Sequence, residues 1–278
     1  MRVVAVLAVL GRGLIPADTP FIKSDDLGLT RGDGVFESIH VRAGRPWLLD
    51  EHLARMSASA ATLDLTLPPL RELAAQACSA WPGDREGVLK LVLTRGSESL
   101  GTPTAYATVN PVPAASIAAR DNGIKINTLS LGVPVEARKD APWLLAGAKT
   151  LSYAINMATQ RYAMAKGADD ALWVSTDGFA LEGPTSSLVW RSGSSLATVP
   201  AAATGILPGI TARFALDNAS SMGLQATERM ITVEELHAVD AVWLLSSIRG
   251  IAPIKSIDGV PLRDFAADTA RLRAMLGF

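Results

Sequence analysis

The sequence has few of the residues that build disulfides and metal centres. It contains one cysteine, Cys78, so no intrachain disulfide can form. Its three histidines, His40, His52 and His237, lie far apart and form no cluster with metal-ligand spacing. We therefore expect no metal centre. Cys78 stands among apolar residues at helical spacing, which predicts a buried packing role.

An excess of charge of one sign and long hydrophobic runs are also missing. The formal net charge is -1, with no basic stripe typical of nucleic-acid binding, and this favours a small-molecule substrate. The apolar run from Val3 to Leu10 is far shorter than the ~20 residues of a membrane-spanning helix, and no cleavage pattern follows it. We predict a buried first strand in a cytoplasmic protein without membrane association.

Apolar residues make up 49% of the 278 positions, enough to bury more than one core. Alternation and turn residues predict a series of strands: Val35 to Val41, Trp47 to Leu49, Val88 to Thr94, Ala105 to Val109, Ile124 to Leu129, Ala171 to Val174, Leu188 to Trp190, Leu196 to Val199, Ala241 to Leu245 and Ile251 to Ile254. Helices are predicted after an Asp50 cap, after Pro68, from about Leu151 to Lys166, after Gly209 and at the end. Strands outnumber helices and hairpins dominate, which favours an α+β fold over a doubly wound sheet.

The segment from Asn110 to Ser116 is rigid and has little periodicity, so it is the candidate interdomain linker. The sequence then divides into a smaller N-terminal α/β domain, residues 1–115, and a larger C-terminal domain, residues 116–278.

Lysine is scarce, with seven lysines against nineteen arginines, so each can be weighed. Lys90 lies in an alternating strand and is either buried or on an outer face. Lys149 follows the apolar stretch 143–148 and precedes a predicted helix. Burial and a helix N-terminus each lower the pKa of a lysine from its usual ~10.4, favouring the neutral amine that Schiff-base chemistry needs. The alternative is a surface lysine that starts a helix.

Two further segments fit the same chemistry. A pyridoxal-phosphate (PLP) site also needs a carboxylate for the pyridine nitrogen and donors for the phosphate. Glu182 follows a predicted hairpin and supplies the carboxylate. Gly209 lets the backbone approach an anion, to which the N–H groups of Ile210 and Thr211 and the Thr211 hydroxyl can donate. Each feature alone also has an ordinary explanation. Glu182 could be a solvated turn residue, and Pro208-Gly209 could be an ordinary helix start. No serine-hydrolase elbow, Walker loop or dinucleotide-binding fingerprint is present.

Taken in order, these segments resemble the class IV aminotransferase family across nearly the whole chain. The matching segments are Leu27 to Glu37, His52 to Met56, Lys149, Glu182, Leu207 to Thr211, and Ser246-Ser247 before Ala252-Pro253-Ile254. The resemblance implies a two-domain PLP enzyme of fold type IV that works as a homodimer.

The same resemblance implies a role for each matching residue. Lys149 would carry the Schiff base and Glu182 would hold the pyridine nitrogen. The residues that would bind the phosphate are Arg55, Ile210, Thr211 and Ser247, and Tyr153 would contact the ring hydroxyl oxygen. The chain departs from the family where Ala212 intervenes before Arg213 and where serine replaces threonine at 247.

The reaction is chosen from the residues that would face the substrate. Thr94-Arg95-Gly96-Ser97 resembles the corresponding segment of aminodeoxychorismate lyase, and the next residues lack the Pro-Arg-x-His carboxylate trap of D-amino-acid aminotransferase. Phe36, Ser38 and Arg95 are candidate pocket residues, although Arg95 would equally suit a surface ion pair. We expect a 4-amino-4-deoxychorismate lyase. The alternatives are a D-amino-acid or branched-chain aminotransferase and, from another class, a non-catalytic PLP carrier.

Overall fold

The chain forms two compact units. A computed structural model describes residues 5–138 and 141–278. Unit 1 comprises Met1–Pro113 and Ala148–Tyr153, and unit 2 comprises Ala114–Gly147 and Ala154–Phe278. The sequence division at residue 115 stays a prediction about domains. The compact units differ from it because a short later segment, Ala148–Tyr153, belongs to unit 1.

Unit 1 is built on an antiparallel sheet with the strand order β2-β1-β6-β5-β3-β4. Its strands are β1 Val6–Val9, β2 Gly13–Ile15, β3 Gly34–Arg42, β4 Arg45–Pro46, β5 Gly87–Ser97 and β6 Thr102–Pro111. Its helices are α1 Leu27–Arg31, α2 Leu49–Ala61 and α3 Leu70–Ser79.

The two faces of this sheet differ in chemistry because successive strand residues point to opposite sides. One face, with Val35 and Ile39 on β3 and Leu91 on β5, joins Met56 of α2 and Ala74 of α3 in one hydrophobic core. The other face carries Phe36, Ser38, Lys90, Tyr106 and Thr108, which occupy the alternate positions. We call this second set of residues the mixed face. The helices thus cover one side of the sheet, and the mixed face lies on the other.

Unit 2 contains a mixed sheet whose main path is β12-β11-β10-β13-β14-β7-β8, with β15 beside β14 and β9 beside β10. Its strands are β7 Ile124–Ser130, β8 Asp170–Val174, β9 Glu182–Gly183, β10 Ser186–Ser192, β11 Ser195–Thr198, β12 Gln225–Glu228, β13 Ala241–Ser246, β14 Gly250–Ile257 and β15 Val260–Pro261. Its α-helices are α4 Ala114–Asn122, α5 Ala154–Ala165, α6 Ala201–Thr204, α7 Ile210–Asp217, α8 Val233–Ala238 and α9 Ala266–Leu276. Trp190, Leu188 and Leu244 are fully buried in its core. The α+β class predicted from the sequence is confirmed.

Several boundaries differ from the sequence prediction for local reasons. Ala43 and Gly44 both take positive φ angles, so a two-residue turn starts the return strand at Arg45 rather than Trp47. Leu48, also at positive φ, precedes α2, so the predicted Asp50 cap is wrong. Asp50 lies in the first turn of α2, where a carboxylate suits the helix dipole.

The first strand and the proposed linker are both shorter than predicted. Residues 3 and 4 of the predicted strand lie outside the described residues, and β1 begins at Val6. β6 continues to Pro111 and α4, which the sequence did not predict, starts at Ala114. Only two residues therefore separate β6 from α4.

Two other observations bear on the class of protein. Cys78 is buried in the unit 1 core as predicted, and burial raises the pKa of its thiol to about 11. Within residues 5–138 and 141–278, no helix has the length and apolar character to cross a membrane, and no three His, Cys, Asp or Glu side chains group as metal ligands. That the protein works without a metal stays a prediction.

Candidate active site

Lys149 is held at the edge of the unit 1 sheet. Thr150 forms an antiparallel bridge with Val35, and the Phe36 N–H donates to the Lys149 carbonyl over 3.1 Å. The Lys149 N–H in turn donates to Ser59 Oγ of α2 at 3.0 Å. The following helix, α5, begins only at Ala154, so the prediction that Lys149 lies at a helix N-terminus is wrong. Sheet pairing, not a helix start, fixes the Lys149 backbone.

The Lys149 ammonium lies against two aromatic rings. Its Nζ is 4.5 Å from the centre of the Phe36 ring and 5.3 Å from that of Tyr153, and 3.5 Å from Tyr153 Oη. The two rings meet edge to face with centroids 5.2 Å apart. Such faces attract an ammonium group and partly desolvate it. Lys149, Tyr153 and Phe36, predicted separately, are therefore brought together, and Ser38 lies on the same face two residues after Phe36.

A buried charged triad supports Arg55 from within the same unit. Glu37, fully buried on β3, accepts two hydrogen bonds of 2.7 Å from Arg55 and a third of 2.7 Å from His52 Nδ1. Burial alone raises the pKa of Glu37, but the charge of Arg55 and the hydrogen bonds from His52 and Arg55 outweigh burial and hold this pKa at about 2. Since an ionised carboxylate only accepts, His52 Nδ1 carries the proton.

No separate role was predicted for Glu37. The feature of the sequence that could have revealed a role is a carboxylate at a core-facing position of an apolar strand, because a buried carboxylate requires a buried partner. Glu37 orients the Arg55 guanidinium on α2, and Arg55 is the predicted phosphate ligand from this unit.

Arg95 is engaged within unit 1. Its Nε and one terminal nitrogen donate to the two oxygens of Asp33 at 2.6 and 3.2 Å, and the same terminal nitrogen donates to the Leu63 carbonyl at 2.5 Å. These contacts tie β5 to the loop before β3 and to the end of α2. They match the ion-pair alternative predicted for Arg95.

In unit 2, Glu182 is joined to the segment before α7. Its side chain is on β9 and buried, and both its oxygens accept from the Leu207 N–H at 3.2 and 3.3 Å. A buried carboxylate in this position suits a protonated ring nitrogen, which would offset the cost of burying its charge.

The N-terminus of α7 has the form of an anion cradle. Gly209 precedes the helix, no side chain caps it, and its first N–H groups, which include Ile210 and Thr211, have no acceptor within the helix. Thr211 Oγ1 lies 3.4 Å from Ser247 Oγ, so two hydroxyls meet there. A Cβ on Gly209 would come within 2.0 Å of Ser187 Oγ, so the close approach there requires glycine. Arg213, which follows Thr211 by two positions because Ala212 lies between them, pairs with Asp217 on the surface.

The predicted residues therefore form two groups, and each is coherent within its own unit. Lys149, Tyr153 and Arg55 belong to unit 1, and Glu182, Ile210, Thr211 and Ser247 belong to unit 2. An amine, a buried carboxylate and an uncapped helix N-terminus with hydroxyls are the donor set that PLP requires, so these residues fit that cofactor.

Known proteins resemble this chain over almost its whole length. The family model described as amino-transferase class IV matches residues 34–257. A protein of Mycobacterium tuberculosis named bifunctional aminodeoxychorismate lyase / D-amino acid transaminase is 39% identical over 266 residues, which covers 91% of this chain and 92% of that protein.

Solved structures agree with that match. A hypothetical aminotransferase from Mycobacterium tuberculosis, with α-ketoglutarate and PMP bound, superposes with a TM-score of 0.93 at 38% identity, covering 98% of this chain and 99% of that one. The fold IV transaminase CpuTA1 from Curtobacterium pusillum gives a TM-score of 0.92 at 39% identity, covering 98% and 97%. The chain therefore belongs to the class IV aminotransferase family, whose enzymes depend on PLP.

Proposed function

We propose that this enzyme is a 4-amino-4-deoxychorismate lyase that forms 4-aminobenzoate and pyruvate. The observation that carries the proposal is the 39% identity, over 91% of the chain, to a relative whose name includes that activity. The residues from Ser97 to Pro103 add support, since they contain no arginine or histidine that would form a D-amino-acid carboxylate trap.

We propose the following roles for the residues in hand. Lys149 would hold the cofactor, and its free amine would remove the proton from the carbon that bears the substrate amine. Glu182 keeps a proton on the pyridine nitrogen, and Tyr153 Oη contacts the ring hydroxyl oxygen. Arg55 and Ser247 bind the phosphate together with the start of α7, through Ile210 and Thr211. Bound PLP supplies the sink for the electrons that the C–H bond releases.

The lyase reaction needs only this one base. Loss of the proton, and of enolpyruvate together with its ether oxygen from the adjacent carbon, makes the six-membered ring aromatic and gives 4-aminobenzoate. The leaving group takes up a proton and becomes pyruvate. Phe36 and Ser38 are the proposed pocket residues on the mixed face, because Phe36 contacts Lys149 and Ser38 follows it on that face.

D-amino-acid transamination is the second candidate, because the same relative is named for both activities. The base would again be Lys149, which would remove the same proton and move it, with no elimination from the substrate. A branched-chain amino acid is the other substrate that the family resemblance allows.

Product analysis separates these reactions. We expect purified, PLP-loaded protein incubated with aminodeoxychorismate to release 4-aminobenzoate and pyruvate in equal amounts. A parallel reaction with D-alanine and α-ketoglutarate measures amino-group exchange, and one with leucine tests the branched-chain alternative. Efficient exchange with either amino acid, with no 4-aminobenzoate formed, would overturn the lyase proposal.

We further propose that the enzyme is a homodimer in the cytoplasm, as the family resemblance implies. Ile155 and Tyr162 on α5 are 69% and 53% exposed, which leaves apolar surface available for a second copy. Light scattering after gel filtration is expected to give twice the mass of one chain. The mass of a single chain at micromolar concentration would contradict the homodimer.

A further inference from the structure

The turn that carries Ser247 is held by a buried arginine. Residues 247–249 form this turn, which joins β13 to β14 within unit 2. Arg120 of α4 is buried, and its Nε donates to the Arg249 carbonyl while one of its terminal nitrogens donates to the Ile248 carbonyl, both at 3.1 Å. Hydrogen bonds from a charged donor are stronger than those from a neutral one. One guanidinium therefore fixes two of the three backbone carbonyls of the turn.

The Arg120 guanidinium is held in turn by an aromatic ring. Its Cζ lies 4.4 Å from the centre of the Phe278 ring, a distance at which a cation and an aromatic face attract each other. The same ring lies close to Gly250, where a Cβ would come within 2.9 Å of three ring atoms. Phe278 therefore contacts both Arg120 and the residue that follows the turn.

The last residue of the turn is fixed through its own side chain as well. Arg249 Nη1 donates to Asp170 Oδ2 at 2.7 Å, and Asp170 is fully buried on β8. The other oxygen of Asp170 accepts from the Ala171 N–H at 2.9 Å, and the Arg249 N–H donates to Ser246 Oγ at 3.4 Å. The conformation of the turn is thus set by contacts to α4 and β8 as well as by its own two strands.

Ser247 connects this turn to the proposed phosphate site. Its Oγ lies 3.4 Å from Thr211 Oγ1 at the start of α7, and both hydroxyls are proposed ligands of the cofactor phosphate. A hydroxyl binds an anionic oxygen well only within a few tenths of an ångström of about 2.7 Å. A small displacement of the turn would therefore weaken the contact of Ser247 with a phosphate oxygen.

We propose that Arg120 is a positioning residue for the cofactor phosphate. It fixes the turn 247–249 at the start of α7, where Ser247 meets Thr211, and Phe278 holds the Arg120 guanidinium in place. The inference rests on the proposed function only for the role of Ser247, and it is independent of which reaction the enzyme performs.

Comparison of PLP with pyridoxal, which lacks the phosphate, separates this role from a general loss of structure. Arg120→Met keeps an unbranched apolar side chain beside Phe278 and removes the donors to the turn. We expect it to raise the Kd for PLP by about tenfold, the lower end for loss of one hydrogen bond to a charged group, and the Kd for pyridoxal by less than about threefold. Absorbance titrations of the protein freed of PLP measure both constants without any turnover.

Three further variants control the comparison. Arg273→Met is the matched control, because Arg273 joins α9 to α4 through Asp121, the neighbour of Arg120, and it should keep the wild-type Kd for PLP. Arg120→Lys keeps the charge and one donor nitrogen, so it should recover part of the loss. Phe278→Ala removes the ring and should raise the Kd for PLP by about threefold, which carries the test if Arg120→Met does not fold.

A double variant tests whether Arg120 acts through Ser247. Arg120→Met should add little to the loss of PLP affinity that Ser247→Ala causes alone, because the two residues serve one contact. If Ser247→Ala binds PLP normally while Arg120→Met still weakens PLP and spares pyridoxal, the proposed role of Ser247 fails and the positioning of the turn by Arg120 stands. Wild-type PLP affinity in Arg120→Met, equal losses for PLP and pyridoxal, or fully additive losses in the double variant would overturn the inference.

Discussion

Replacing Lys149 with alanine is expected to abolish the visible absorbance of bound PLP and to lower turnover by at least about 10³-fold. The size follows from the two roles proposed for Lys149, as covalent holder of the cofactor and as general base, since a positioned base alone contributes about 10²- to 10⁴-fold. Absorbance spectra of the reconstituted protein and steady-state rates with aminodeoxychorismate measure the two losses separately.

Lys149→Arg distinguishes chemistry from charge. Arginine keeps a cation beside Phe36 and Tyr153, but its guanidinium does not deprotonate near neutral pH and forms no stable link to PLP. We expect it to be as inactive as Lys149→Ala, while Lys125→Ala, at an exposed site of β7, retains full activity. Turnover within tenfold of wild type in Lys149→Arg would show that Lys149 contributes only its charge. A folded Lys149→Ala protein with normal turnover would contradict both roles proposed for Lys149.

The sheets could be predicted well from the sequence because their strands alternate or are continuously apolar. β3, β5, β7 and β13 lie within one to three residues of the predicted positions. Lys149 stood out because lysines are few and its neighbours are apolar. The roles of Glu182 and of the start of α7 depended on the family resemblance, since each alone has an ordinary structural reading.

What the sequence could not reveal is pairing between distant segments. The bridge between Thr150 and Val35, which places Lys149 beside Phe36, has no periodic signal in either segment. The same limit applies to Arg95, whose partners Asp33 and Leu63 lie far from it in the sequence. For Lys90, alternation shows that it shares a face with every second residue of its strand, but not whether the helices cover that face. The register with β3 was needed to place Lys90 on the mixed face.

Replacing Glu37 with glutamine is expected to lower the free energy of unfolding by about 3–5 kcal/mol, the usual cost of removing one member of a buried ion pair. Glu37 is fully buried and receives all three hydrogen bonds of the triad with Arg55 and His52. Glutamine has nearly the same shape, so packing is kept while Arg55 loses its countercharge. Urea unfolding at pH 7 measures the change.

Glu98→Gln is the matched control, because it makes the same substitution in an ion pair with Arg31 whose side chains are 64% and 65% exposed. It should change stability little, since exposed pairs contribute little. An equal effect of the two substitutions would contradict the role of the triad.

The pH dependence provides an independent check on this ion pair. The pKa of Glu37 is about 2 in the folded protein against an ordinary value of 4.5, so in the unfolded chain this carboxyl takes up its proton at a higher pH. Its contribution to stability is complete above pH 4.5 and is lost as pH falls toward 2. Burial also lowers the pKa of His52 in the folded protein. As the pH falls below about 6.5, the usual pKa of histidine, the unfolded chain therefore gains this proton before the folded protein does, and stability begins to decrease. The stability difference between the wild type and Glu37→Gln should therefore narrow below pH 4.5. A difference that stays constant down to pH 3 would mean that the carboxylate charge of Glu37 does not hold Arg55 in place.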